Sequence, residues 1–190
     1  MTVLVTGCIR SGTAYTTQVL RNLGLDVVHE GSGKDGSVSA FLGTPDAKLP
    51  PWHGLALSTY DIILHQVRHP VPVIASMRPS SDHFWTFVHD HAGVDGKTVL
   101  LRSMQYWDRW NRIVEARAQV TYRIEDAPWP ELCTLLDVEY DAEKIACVST
   151  RTNSRQTHPH YRRLFWSDLE AADQQLCARI RALATTYGYD

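Results

Sequence analysis

Lysine is scarce in this chain of 190 residues: it occurs only at Lys34, Lys48, Lys97 and Lys144, so arginine carries most of the formal positive charge. Cysteine is equally sparse. Cys8, Cys133, Cys147 and Cys177 stand far apart with no C-x-x-C pair, which excludes zinc-ribbon and thioredoxin-like designs and predicts reduced, buried thiols. No apolar run approaches the roughly 20 residues that a membrane-spanning helix needs. There is no excess of one charge either: the formal net charge is −2, which argues against a nucleic-acid or acidic-membrane partner. The chain holds no internal repeat, no low-complexity tract, and no basic segment followed by an apolar one at its start. A cytoplasmic location without a signal peptide is therefore expected. The length suits one domain spanning residues 1–190 with a real core.

What is present is a phosphate-binding pattern at the very start. Val3-Leu4-Val5 reads as a short strand. Gly7-Cys8-Ile9-Arg10-Ser11-Gly12-Thr13 is a glycine-framed turn, and an amphipathic helix follows from near Ala14 to about Leu23. Such a turn gathers unpaired amides at a helix N-terminus, where the dipole favours an anion. It is not a Walker loop. Gly7 and Gly12 have the Walker spacing, but Thr13 follows at once and the lysine is missing. The cation is Arg10, inside the turn, suited to a charge-assisted fork on one terminal phosphate rather than to a triphosphate with Mg²⁺.

Further along, Leu25–Val28 reads as a second strand ending at His29-Glu30. Gly31–Pro51 reads as a long active-site segment, since compact domains rarely carry such loops without use. Asp61–Val67 is a third, buried strand. Arg68-His69-Pro70 ends it and a helix begins at Val71. Pro79–Gly96 reads as a loop containing Phe84, Trp85 and Phe87, which suit either an apolar or sugar pocket or simple packing. A long helix covers about Lys97–Ala118, with Leu100, Met104, Trp107 and Val114 on one face and Asn111 beside them as a buried polar contact. Val120–Ile124 is a fourth strand, and Pro130–Leu136 and Asp141–Ser149 are short helices. One last helix starts at Ser167 with a Ser167/Glu170 capping box and ends near Tyr187. The alternation predicts a three-layer α/β/α fold with a mainly parallel sheet, whose ligands bind beyond the carboxyl ends of the strands. Arg10, Glu30 and Arg68 all fall at such ends.

With the second pair, Arg68 and Ser76, the chain resembles the PAPS-dependent sulfotransferases. That family's 5′-phosphosulfate loop has a basic residue, Ser/Thr, Gly and Thr; here these are Arg10-Ser11-Gly12-Thr13. Its 3′-phosphate element is Arg-x-Pro with a Ser eight residues after the Arg; here Arg68, Pro70 and Ser76. A Tyr-x-Glu-Asp after a later strand has a longer counterpart in Tyr122-Arg123-Ile124-Glu125-Asp126. The resemblance runs from Val3 to about Asp126, with a looser echo in Trp166–Tyr189. The family's Arg-Lys-Gly triplet over the 3′-phosphate is missing. The nearest substitute is the basic stretch Arg151, Asn153, Arg155, His158, Arg162 and Arg163, in which Arg155 is the candidate to close over the nucleotide.

The resemblance implies a P-loop-like fold, PAPS as sulfuryl donor with 3′,5′-ADP as product, no metal, and a small-molecule or glycan acceptor with a hydroxyl or amine. It assigns Arg10, the amides of Ser11, Gly12, Thr13 and Ala14, and the Thr13 hydroxyl to the 5′ side, and Arg68 and Ser76 to the 3′ side. The acceptor needs a base, for which Glu30 is preferred over His29. Neighbours on a strand point to opposite faces, so only one of the two is expected to enter the site. Lys34 and Asp35 are weaker candidates for acceptor contacts. His89-x-His91 and His158-x-His160 have the local spacing of metal ligands, but no Cys or carboxylate set completes them. Two other readings fit the same loop: a P-loop nucleotide-binding protein or small kinase, and a non-catalytic nucleotide-binding relative.

Overall fold

A computed structural model describes residues 1–44, 60–77, 80–149 and 162–190. Within them, β1 (Val3–Thr6), β2 (Val27–His29), β3 (Gly36–Val38), β4 (Ile62–Val67) and β5 (Val120–Arg123) form one sheet in the order β2-β3-β1-β4-β5. Every pairing is parallel, and Thr6 stands opposite His65, His29 opposite Val38, and Val67 opposite Arg123. All five carboxyl ends therefore open on one edge of the sheet. The helices are α1 (Thr13–Asn22), α2 (Pro70–Ser76), α3 (Asp82–Ala92), α4 (Val99–Glu115), α5 (Trp129–Leu135), α6 (Ala142–Ala146), α7 (Trp166–Ala172) and α8 (Gln174–Thr186). Among the described residues no helix is long and apolar enough to cross a membrane.

Strand alternation sorts the core into two sides. Val3, Val5, Val38, Leu64 and Tyr122 pack with Leu20 of α1 and with Leu132 and Leu136 at α5. On the other side Val67 joins a larger core built by α2, α3, α4, α7 and α8, centred on Trp107, Trp110, Met104, Ile74 and Ile180. Helices on both faces of a parallel sheet are consistent with a three-layer α/β/α arrangement. The α4 stripe packs as its spacing predicts: Met104, Trp107 and Val114 are fully buried, and Leu100 packs partly buried against them. Each such side chain contributes about 2 kcal/mol of hydrophobic stabilisation.

Four expectations are corrected. The segment after β2 is not a continuous loop, because Gly36–Val38 is a strand inserted between β2 and β1. Glycine is required at its first position: a Cβ on Gly36, where φ is 142°, would lie 1.9 Å from the carbonyl oxygen of Val3. The strand expected as third is thus β4. The segment expected as a loop from Pro79 contains α3, capped at its start by the Ser81 hydroxyl accepting from the amide of Phe84 and closed by Gly93 in the left-handed region. Phe84 and Trp85 are buried in the core, so packing is their role, with Phe87 partly buried beside them. The last helix is two helices. The Asp168 carboxylate, not Ser167, caps α7 by accepting from the amide of Phe165, and Asp173 breaks the run and caps α8 through the amide of Leu176. Finally, Cys8, Cys133 and Cys177 are buried as expected, but Cys147 is exposed.

Candidate functional site

The turn after β1 is held from beneath by Gln66, a buried amide in β4. Its Nε2 donates to the carbonyl of Ser11 at 2.6 Å, and its Oε1 accepts from the hydroxyls of Thr16 and Tyr122. Gly7 lies so close to this strand that a Cβ there would sit 2.1 Å from the Gln66 carbonyl oxygen. Ser11 turns inward, its hydroxyl and amide both donating to the Cys8 carbonyl. The amide of Ile9 donates to the Tyr106 hydroxyl at 3.0 Å. Arg10 and Gly12 take left-handed backbone conformations, φ 72° and 98°. For Arg10 this is strained by about 1–2 kcal/mol, a cost the surrounding contacts must offset. Gly12 is the N-cap of α1 and supplies no side-chain cap, so the first-turn amides of Thr13 and Ala14 are left for an external acceptor. Open amides at a helix start are an arrangement that suits an anion.

Beside it stand both His29 and Glu30. His29 Nε2 is 3.0 Å from the Thr13 hydroxyl, and 4.0 Å from Glu30 Oε1. Strand alternation, from which only one of them is expected to enter, does not separate the two side chains. Strand β2 ends at His29, and Glu30 turns into the left-handed region with φ 51°, so the alternation of a strand no longer applies. Glu30 is anchored: Oε2 accepts from the Ser39 hydroxyl at 2.5 Å and Oε1 from the amide of Ala40 at 3.1 Å. Burial pushes its carboxyl above the ordinary carboxylate range, and these hydrogen bonds pull partly the other way.

Arg68 follows β4 and is exposed. Its Nη1 donates to the carbonyl of Arg10 at 3.2 Å, so the two arginines predicted from distant motifs meet at one edge of the sheet. Ser76 lies at the last position of α2, about 10 Å of helix rise from its start, with its hydroxyl donating to the Val73 carbonyl. A cleft of about 420 Å³ opens between α2 with its N-cap (His69, Pro72, Ala75) and the segment entering α7 (Arg163, Phe165, Trp166). Phe165 is 55% exposed, with the Arg163 guanidinium 5.1 Å from its ring centre. Arg155 lies outside the described residues, as do Arg151, Asn153, His158 and His160. Among the described residues no group of three His, Cys, Asp or Glu side chains is placed to hold a metal ion.

Sequence reading missed Gln66, Ser39 and His65. A signal existed for two of them: His65-Gln66 interrupts the apolar run of β4, and polar residues buried in a central strand must find partners. Both do. The two ring nitrogens of His65 lie 3.1 Å from Asn111 Oδ1 and from the Thr121 hydroxyl, while Asn111 donates to the Trp107 carbonyl. Asn111 is thus the buried polar contact expected on α4. Ser39 carried no signal, because its partner Glu30 is met only through the pairing of β2 with β3.

No protein-family model matches the chain, and no curated protein matches it.

Proposed function

We propose that the chain is a nucleotide-phosphate-binding α/β protein and, within that class, a sulfotransferase that takes its sulfuryl group from PAPS. The observation that carries the reading is the convergence of Arg10, Arg68 and the open first turn of α1 at one sheet edge, next to a partly buried carboxylate. The residues fit a ligand with two separated phosphates. Two guanidinium-bearing residues and an uncapped helix start stand where a Walker lysine is lacking, and Arg163 lines a second, aromatic-walled cleft beyond His69. Arg163 lies in the basic stretch that stands in for the missing Arg-Lys-Gly triplet, and its place in the cleft wall supports giving it that role.

PAPS supplies the sulfuryl group, and 3′,5′-ADP is what remains. The amides of Gly12, Thr13 and Ala14, with Arg10 and the Thr13 hydroxyl, hold the 5′-phosphate and stabilise the charge that develops there. Ser11 shapes the turn from inside. Arg68, with Arg163 and the Ser76 end of α2, serves the 3′-phosphate. Glu30 accepts the proton of the acceptor hydroxyl or amine. Its raised carboxyl pKa moves it toward the range in which a general base works best, and Ser39 and Ala40 fix its direction. His29, against Thr13, stands between base and phosphate and orients both. Alignment and charge stabilisation are the main demands of such a transfer.

Calorimetric titration with 3′,5′-ADP beside 5′-AMP and Mg²⁺-ATP tests the proposal. At least tenfold preference for the bisphosphate is expected. Equal affinities, or tighter binding of Mg²⁺-ATP, return the chain to the wider P-loop class.

A further inference from the structure

The last residues of the chain are bound to the edge of the sheet that carries the site. The Tyr189 hydroxyl donates to Glu125 Oε2 at 2.7 Å, and the other oxygen of the same carboxylate accepts the main-chain amide of His69 at 3.1 Å. One side chain thus ties the C-terminal tyrosine to the turn that presents Arg68. The tie is reinforced on both sides. Arg123 donates to the Gly188 carbonyl, lies 5.5 Å from the Tyr189 ring centre, and is held in turn by Asp126. The His69 ring stands edge-on between Tyr189, at 5.4 Å, and Trp166, at 5.9 Å. Its Nδ1 accepts from the amide of Val71 and so caps α2.

These contacts leave His69 little freedom at ring, amide or cap. It is the residue next to Arg68 and a wall of the cleft. Glu125 itself is exposed and contributes nothing to the core, so its double acceptance is not explained by burial. Tyr189, by contrast, is 7% exposed, and its ring packs into the same core as α2 and α7.

We propose that Glu125 is a positioning residue: by holding the Tyr189 hydroxyl and the His69 amide together, it sets the Arg68–His69 turn and makes affinity for the second phosphate depend on the C-terminal tyrosine. The inference rests on the two-phosphate reading above. Neither Glu125 nor Tyr189 lines the cleft, so the expected effect is through geometry alone.

The test uses the full chain with Tyr189→Phe, which keeps the ring and removes one bond, and Glu125→Ala, which removes both. Two quantities are read: exchange of the His69 amide without ligand, and the affinities for 3′,5′-ADP and 5′-AMP. The expected result is faster His69 exchange in both variants. With it, 3′,5′-ADP binding weakens about three- to tenfold in Tyr189→Phe and more in Glu125→Ala, while 5′-AMP binding stays within twofold. Unchanged exchange overturns the proposal. So does faster exchange with equal losses for the two nucleotides, which is what a merely structural role produces. If the unsubstituted protein does not prefer the bisphosphate, the two-phosphate reading fails and takes this inference with it. Preference retained unchanged in both variants removes only the inference.

Discussion

Arg68 Nη1 donates to the main-chain carbonyl of Arg10, so a residue 58 positions away helps to hold the strained turn that carries the other arginine. The contact makes Arg68 both a cation and a brace. Arg68→Ala should weaken 3′,5′-ADP about ten- to a hundredfold, and 5′-AMP by a smaller factor that reports the lost brace. Titration of both nucleotides separates the two roles. Equal losses would mean that Arg68 acts only on the turn.

Arg10→Ala should lower transfer from PAPS by at least about 10²-fold, since it removes charge where negative charge develops. Wild-type turnover in a PAPS-dependent assay would remove Arg10 from the site.

On the proposed reading Glu30 serves the acceptor and not the phosphate, so Glu30→Gln should abolish transfer but leave nucleotide binding within about threefold. A base must be deprotonated, so activity should rise with pH through a pKa above the ordinary carboxylate range. Ser39 favours the charged form by donating to it. Ser39→Ala should therefore shift that acid limb to higher pH, and a pH–rate profile of the two proteins reads the shift. A shift to lower pH would contradict the assignment. Retained nucleotide binding in a wild-type chain with no transfer to any acceptor would favour the non-catalytic relative.

His65 is fully buried, and burial lowers its pKa to about 4 against 6.5 for a free imidazole. Below pH 6.5 the unfolded chain takes up a proton that the native chain refuses. Stability is therefore at its full value above pH 6.5, falls as pH drops toward about 4, and loses nothing further from this group below that. The total is on the order of 3 kcal/mol. Urea unfolding between pH 7.5 and 4 measures it, and a His65→Gln variant should show a flatter acid slope.

Gly7→Ala and Gly24→Ala separate two reasons for glycine. A Cβ at Gly7 collides with the Gln66 backbone, whereas Gly24, with φ 100°, has nothing within 4 Å. Gly24→Ala should cost about 1 kcal/mol of backbone strain and leave nucleotide binding intact. Gly7→Ala should cost about 3 kcal/mol and weaken 3′,5′-ADP, because the turn has to move away from β4. Thermal unfolding together with titration distinguishes them.

Much of the frame was legible in the chain. The parallel strands Val3–Thr6 and Ile62–Val67 open with the continuous apolar runs of buried parallel strands, and α4 has a helical stripe, so local pattern and tertiary burial agree there. Gly36–Val38 was not legible because it is only three residues long and sets a poor strand former, Gly36, beside a good one, Val38; its place between β2 and β1 follows from tertiary pairing, where only glycine fits against Val3 at position 36. In α3 the signals were present, Ser81 as cap and Gly93 as stop, but the polar residues between them obscured the apolar face of Phe84, Trp85 and Val88.

The sequence by itself determined the glycine turn, its arginine, and the placement of Arg10, Glu30 and Arg68 at strand ends, because spacing along one chain fixes which residues leave each strand. Only the tertiary structure decided that Arg68 meets Arg10, that Gln66 supports the turn, and that His29 and Glu30 face the same side. Those facts depend on strand order, on register, and on one left-handed residue at the end of β2. Hydrogen bonds between residues 50 or more positions apart follow from packing, which no local pattern encodes.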